Sequence, residues 1–405
     1  MEERESILKR IGPGLITAAV VIGPGSIVAS SRAGAEAEYR LVWMLLLGFI
    51  FMATFTAMGA RLACAIPQTP LQYISSNWSR TLAAITGLSG FLVTAGFQFG
   101  NNIGVSVSLT AVTGVPAWIW SIFFTVLALV FLVRAQHVYK MLEQVMIVLV
   151  FVMLVAFIAN LFWTGLNLPR LATGFAPRAF EGNEATIARA MLATTFSAVA
   201  AFYMAYLGHE KGWTRRNAER AITDSWIGIS FLGFIALIIL ISGAQALYGT
   251  DRDFGDVGEL AMQLQAVLGQ WATLIFSIGL AAASFSSFIA NALIGGVLMA
   301  DGVGQYQGIS SKPVKWWTAG VMILGCVIAT TTMVLGVGDT TSLLIAQSAT
   351  LIAAPLCAIL LFGLTTSRSI MGDLRNPWVI IVIGAVGLLI VGWLNLQTLM
   401  RLLPF

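Results

Sequence analysis

The sequence predicts an all-α integral membrane protein with eleven spanning helices, and three observations carry that prediction. Of its 405 residues, 58% are hydrophobic and only 10% are charged, whereas a soluble domain carries about a quarter charged residues. The mean hydropathy is +0.88. The apolar residues gather in continuous runs of about 20 or more, the length a helix needs to cross a bilayer. A transmembrane barrel would instead show alternating segments of ~10 residues.

The runs fall at about 11–32, 41–65, 81–112, 117–134, 139–165, 188–210, 222–248, 260–300, 316–336, 340–364 and 378–398. The run at 260–300 is too long for one simple span and is expected to extend past the bilayer. The longest connector, 166–187, reads as a surface loop. No connector is long enough for a soluble domain, so residues 1–405 are expected to form one transmembrane domain. The opening MEERESILKR carries charges of both signs and leads into further apolar runs, so no cleavable signal peptide is evident. Cys64, Cys326 and Cys357 lie in or at the ends of apolar runs, which argues against a disulfide framework or a zinc site.

The net charge of +4 is read through topology rather than as a nucleic-acid signal. With the N-terminus inside, fifteen of the 22 Lys and Arg fall on the cytoplasmic side, among them Arg61, Arg134, Lys211, Arg215, Arg216, Arg220, Arg368 and Arg375. Positive residues concentrate on that side of membranes. An odd span count then puts the C-terminus outside, in the plasma (inner) membrane.

Eleven spans accommodate a five-plus-five inverted repeat, about 11–165 and 188–364, with an extra helix at 378–398. In that architecture the first helix of each repeat is interrupted near the midplane. The first span has such an interruption at Gly23-Pro24-Gly25-Ser26, inside VVIGPGSIVASSRAG. Proline removes a backbone donor and clashes with the preceding turn, and backbone groups exposed at membrane depth require a cavity or a ligand. The alternative is a kink that serves packing. The counterpart in the sixth span, LATTFSAVAAFYMAYLGHE, has no proline, and its one glycine is the late Gly208, so its interruption is signalled only weakly.

Few charged residues lie at membrane depth. No acid sits mid-span in spans 1, 3, 6 or 10, and the two histidines, His137 and His209, are near span ends. Gln98, Asn101 and Asn102 place three amides within a turn of span 3, where they either join helices by hydrogen bonds or line a cavity. Arg32, in the outer half of span 1, either snorkels to the interface or attracts an anionic group beside the helix terminus that the break creates. Phe202 and Tyr203 in span 6 offer packing surface or a face for a flat apolar ligand. No nucleophile–base pair or metal triad stands out, so catalysis is not expected.

The chain resembles the Nramp family of transporters over nearly its whole length. The resemblance rests on GPGSIVASSRAGAEAEYRLVWMLLLG, on ARLACAIPQTP, and on LLIAQSATLIAAPLCAILLFGLTTSRSIMGDLRN at 343–376. It implies a LeuT-type fold with discontinuous helices 1 and 6. It also implies that the positions of the family's metal-binding Asp and Asn are Gly23 and Ser26, and that its Met-Pro-His motif falls at about Ala201, Phe202 and Tyr203. Further acids of span 1 correspond to Val28 and Ser30, the proton-path acids of span 3 to Gln98 and Asn101, and a glutamine of span 10 to Ala353.

This joint loss of ligands predicts a changed substrate: a small organic solute, a carboxylate with an apolar or aromatic body such as an indole-type acid. The expected substrate-binding residues are Gly23, Pro24, Gly25, Ser26, Arg32, Gln98, Asn101, Ala201, Phe202 and Tyr203, with no metal and no cofactor. The alternative is a divalent metal ion such as manganese or magnesium, with or without proton coupling. The expected partners are the small-molecule substrate and the lipid bilayer, with no nucleic acid, and the chain is expected to be a monomer.

Overall fold

A computed structural model describes residues 23–134, 136–252, 254–336 and 340–402, and all their regular structure is helical. The main helices are α1 (Pro24–Ala37), α2 (Val42–Ala65), α3 (Pro70–Asn77), α4 (Arg80–Thr113), α5 (Ala117–Val133), α6 (Gln136–Thr164), α7 (Glu184–Thr195), α8 (Ala198–Glu210) and α9 (Ala218–Ala246). They continue with α10 (Ala272–Gly302), α11 (Lys312–Val334), α12 (Thr340–Ala353), α13 (Pro355–Thr366) and α14 (Trp378–Leu402). Among the described residues eight helical segments are long and apolar enough to cross a membrane, or nine if a bent pair counts as one span. The expected count of eleven is therefore not reproduced. The upstream part of span 1 lies outside the described residues, and α5 is apolar but only 17 residues long.

Three of the expected runs are divided. Span 6 splits into α7 and α8 around extended Phe196 and Ser197. The break needs neither glycine nor proline. The Ser197 side chain accepts from the Ala200 amide and caps α8, which serves one of the orphan donors of a new helix. Phe196 is pinned edge-on to Phe55, with ring centroids 5.0 Å apart. Span 10 splits at Ala354, where Pro355 supplies no amide to the preceding turn. The long run at 260–300 resolves into short helical turns over Val257–Trp271 followed by α10. The connector 166–187 contains a short helix, Leu168–Thr173.

The helices pack as two bodies. α1, α2, α7, α8 and α9 form one, with broad contacts of α9 along α1 and α2 and of α8 along α2. α4, α10 and α11 form the core of the other, with α5 and α12 against it. Small residues permit the close approaches: a Cβ on Gly34 or Gly243 would overlap backbone of the helix opposite, as would one on Gly87 or Gly302. Without water to drive apolar association, such close packing is what holds helices together in lipid.

Candidate functional site

The two bodies flank a narrow cavity where the start of α1 meets the break between α7 and α8. α1 contributes Gly23, Pro24, Gly25 and Ser26, and the α7–α8 break contributes Thr194 and Ser197. The other body contributes Phe97 and Asn101 from α4, Asn291 from α10 and Gln347 from α12. None of these side chains is ionisable. The polar ones are hydroxyls and carboxamides, and no cluster of three or more His, Cys, Asp or Glu suited to a metal occurs among the described residues.

Gly23 is the extended residue before α1, and Pro24 opens the helix, the position where proline's missing amide costs nothing. Its first amides therefore face the cavity. The last carbonyls of α7 end at the same place, so the broken helices present partial charges of both signs.

The close fit around Gln347 depends on a stripe of glycines on α4. Cβ atoms at Gly96, Gly100 and Gly104 would meet Thr350, Gln347 and Pro24 respectively. A Cβ on Gly25 would lie 2.8 Å from the Gln347 carboxamide carbon. Gln347 is 2% exposed, and its Oε1 has no hydrogen-bond partner within the protein. A buried acceptor left without a donor costs about 1–3 kcal/mol, so this oxygen is poised for something that enters the cavity.

Five of the expected site residues, Gly23, Pro24, Gly25, Ser26 and Asn101, line the cavity, and five lie elsewhere. Arg32 donates from Nε to Glu36 Oε1 at 2.6 Å and from Nη1 to Thr341 Oγ1 at 3.0 Å. Its charge is thus satisfied within the protein. Gln98 is buried against Gly325 of α11. Ala201, Phe202 and Tyr203 lie below the break. The Ala201 carbonyl packs on Gly59 of α2, and Tyr203 stacks on Tyr206 with centroids 6.1 Å apart. The α7–α8 break stands several residues before the expected motif, which is why Thr194 and Ser197 occupy the cavity instead. Those two residues, Phe97 and Gln347 escaped the sequence reading, and Asn291, which the serine-rich stretch of the eighth span offered for packing or cavity lining, was not among the expected site residues. The serine cap after two threonines and the four-residue spacing of Gly96, Gly100 and Gly104 were the available signals.

Beyond the cavity, each end of the seam is bridged. At one end the Arg32–Thr341 bond joins α1 to α12 across the seam, while Asn183, which donates to Glu36 at 3.0 Å, and Arg40, which pairs with Glu181 and Glu184, tie the start of α7 to α1 within one body. At the other, Tyr206 of α8 donates to Asp301 of α10 at 2.6 Å.

Residues 14–401 match the family described as natural resistance-associated macrophage protein-like, Nramp. The chain belongs to the Nramp family. It is a multi-pass membrane transporter and not an enzyme. Relatives include proteins named divalent metal cation transporter MntH. That of Pectobacterium carotovorum is 24% identical, covering 93% of this chain and 90% of the relative, and that of Yersinia pestis is 24% identical, covering 99% and 97%. Among solved structures, a manganese transporter of Eremococcus coleocola superposes with a TM-score of 0.79 at 18% identity, over 98% of this chain and 88% of that one. A nucleobase-cation-symport-1 family transporter matches with a TM-score of 0.56 at 15% identity, over 97% and 94%. These likenesses establish the LeuT-type helical fold.

The family and its relatives overturn the expectation of an organic acid as substrate. The Nramp relatives carry the names of divalent metal cation and manganese transporters. The geometry gives the physical reason. The arginine expected to attract a carboxylate is already paired with Glu36, and the aromatic residues expected to hold a flat body are packed away from the cavity.

Proposed function

We propose that the protein carries a divalent metal cation across the membrane through the seam cavity. The observation that carries this reading is the buried, unpartnered Gln347 Oε1 at the cavity wall, together with the names of the Nramp relatives. The ion is held by neutral oxygens and keeps part of its hydration shell. Hard cations take oxygen ligands, and magnesium in particular sheds water reluctantly. Carboxamide oxygens such as that of Gln347 can accept hydrogen bonds from metal-bound water or bind the ion directly. The lining offers neither sulfur nor imidazole, so soft or nitrogen-seeking metals are poorly served. Manganese and magnesium are the expected cargo.

The distribution of Lys and Arg supports an N-terminus on the cytoplasmic side of the plasma membrane, with the Arg32 end of the seam outside and the Asp301 end inside. A single chain encloses the whole cavity, which supports a monomeric unit.

The test is influx into liposomes that hold the purified protein and an entrapped indicator for manganese or magnesium. Entry above empty liposomes, reduced at least severalfold by Gln347→Ala, is expected from the loss of a group that serves the ion. Entry of neither ion through protein that is folded by circular dichroism would overturn the reading.

A further inference from the structure

The broadest packing surface of α8 lies along α2, and it meets α10 and α4 only slightly. Its upper end joins α7 through two extended residues, Phe196 and Ser197. A helix so arranged moves readily with α2, and its tie to the opposing body rests on a few side chains. Those side chains converge on one buried carboxylate. Asp301, 1% exposed near the end of α10, accepts at Oδ2 from Tyr206 Oη at 2.6 Å and from Thr69 Oγ1 at 2.7 Å. Thr69 immediately precedes α3, which packs on α4 and α10, so its hydroxyl fixes the carboxylate from its own side of the seam. Tyr206 is the partner that reaches across. Hydroxyl bonds to a carboxylate are short and about twice as strong as neutral ones, and these are shielded from water.

Around this bond the contacts repeat the same division. Tyr306, just beyond α10, meets Tyr206 edge-on with centroids 5.8 Å apart. Glu210, the last residue of α8, accepts from Tyr306 Oη at 3.4 Å and from the Ile309 amide at 3.3 Å. We infer that Tyr206, Asp301 and Thr69 form a latch that closes the cavity on this side, and that parting of Tyr206 from Asp301, with α8 swinging about Phe196–Ser197, is the step that opens it there. The inference deepens the transport reading and rests on it for its role, but its geometry can be tested without any cargo.

Hydrogen–deuterium exchange of the full chain in lipid nanodiscs provides that test, with no metal added. Tyr206→Phe removes one hydroxyl, Asp301→Asn removes the charge while keeping the shape, and Tyr203→Phe is the control on the same helix. Local opening sets the exchange rate of amides in such a segment. Exchange across 198–210 should rise about fivefold or more in the first two variants and stay unchanged in the control, with α4 and residues 272–295 of α10 unaffected. No rise in either variant overturns the latch. An equal rise in every helix also overturns it, because the bond would then serve general packing. Manganese influx, measured in parallel, separates the two ideas. If exchange rises as expected but the unaltered protein moves no ion, the latch stands and the transport reading falls.

Discussion

Gln347 of α12 lies flat against Gly100 of α4, so closely that a Cβ at position 100 would overlap its amide nitrogen. One missing methyl group therefore lets a carboxamide on one helix reach the cavity past the backbone of another. Gly100→Ala is expected to displace Gln347 and to cost about 1–3 kcal/mol through overpacking. Ion influx should fall about tenfold or more if the displaced group serves the ion directly. A thermal melt beside the influx measurement separates the two effects.

Arg32 and Glu36 form an ion pair whose side chains are 7% and 19% exposed. Removing one partner leaves the other charge stranded. Arg32→Gln should lower stability by roughly 2–3 kcal/mol, somewhat less than the 3–5 typical of full burial because Glu36 keeps some contact with water. The double variant Arg32→Gln with Glu36→Gln should recover most of the loss. Neither change should weaken metal binding at the cavity by more than about twofold, since Arg32 is not part of its wall. Denaturation midpoints and calorimetric titration check both statements.

No lining side chain of the cavity titrates between pH 6 and 8. Metal affinity depends on pH when a ligand must lose a proton to bind, and here none must. The dissociation constant for manganese should change by less than about twofold between pH 6 and 8. A tenfold change over that range would show that a titratable group outside the lining takes part.

Gln347→Glu supplies the carboxylate that the wall lacks. A hard cation prefers it, so manganese affinity should rise by about tenfold or more at pH 8. Metal binding through a carboxyl uses its deprotonated form. The variant must then release a proton to bind metal, and its advantage should shrink as pH falls toward 6. The unaltered protein should show no such slope. Calorimetry at several pH values measures the difference directly.

The sequence by itself determined the membrane environment, the helical class and the start of α1 at Pro24. Hydrophobic run length follows from bilayer thickness, and Pro24 after Gly23 suits the first position of a helix whatever surrounds it. Family membership was legible in motifs spread along the chain. The break between α7 and α8 was harder to read because it uses no helix-breaking residue. Phe196 is held by Phe55 from a distant helix, and Ser197 acts as a cap only once the chain has already parted there.

The composition of the cavity was decided by tertiary structure. Thr194, Asn291 and Gln347 come from separate helices and meet only because glycines on α4 and α1 let backbones approach. The fate of Arg32 was decided in the same way. Its charge and the Glu36 carboxylate one turn further along α1 were visible in the sequence, but the Thr341 hydroxyl that completes its pairing is placed by the crossing of α1 and α12. Tyr206 and Asp301 stand 95 residues apart in the chain, and no local pattern relates them. Periodicity and residue chemistry act along the chain and can be read there. Which buried oxygen faces which donor depends on how helices cross, and that is set by side-chain volume summed over the whole fold.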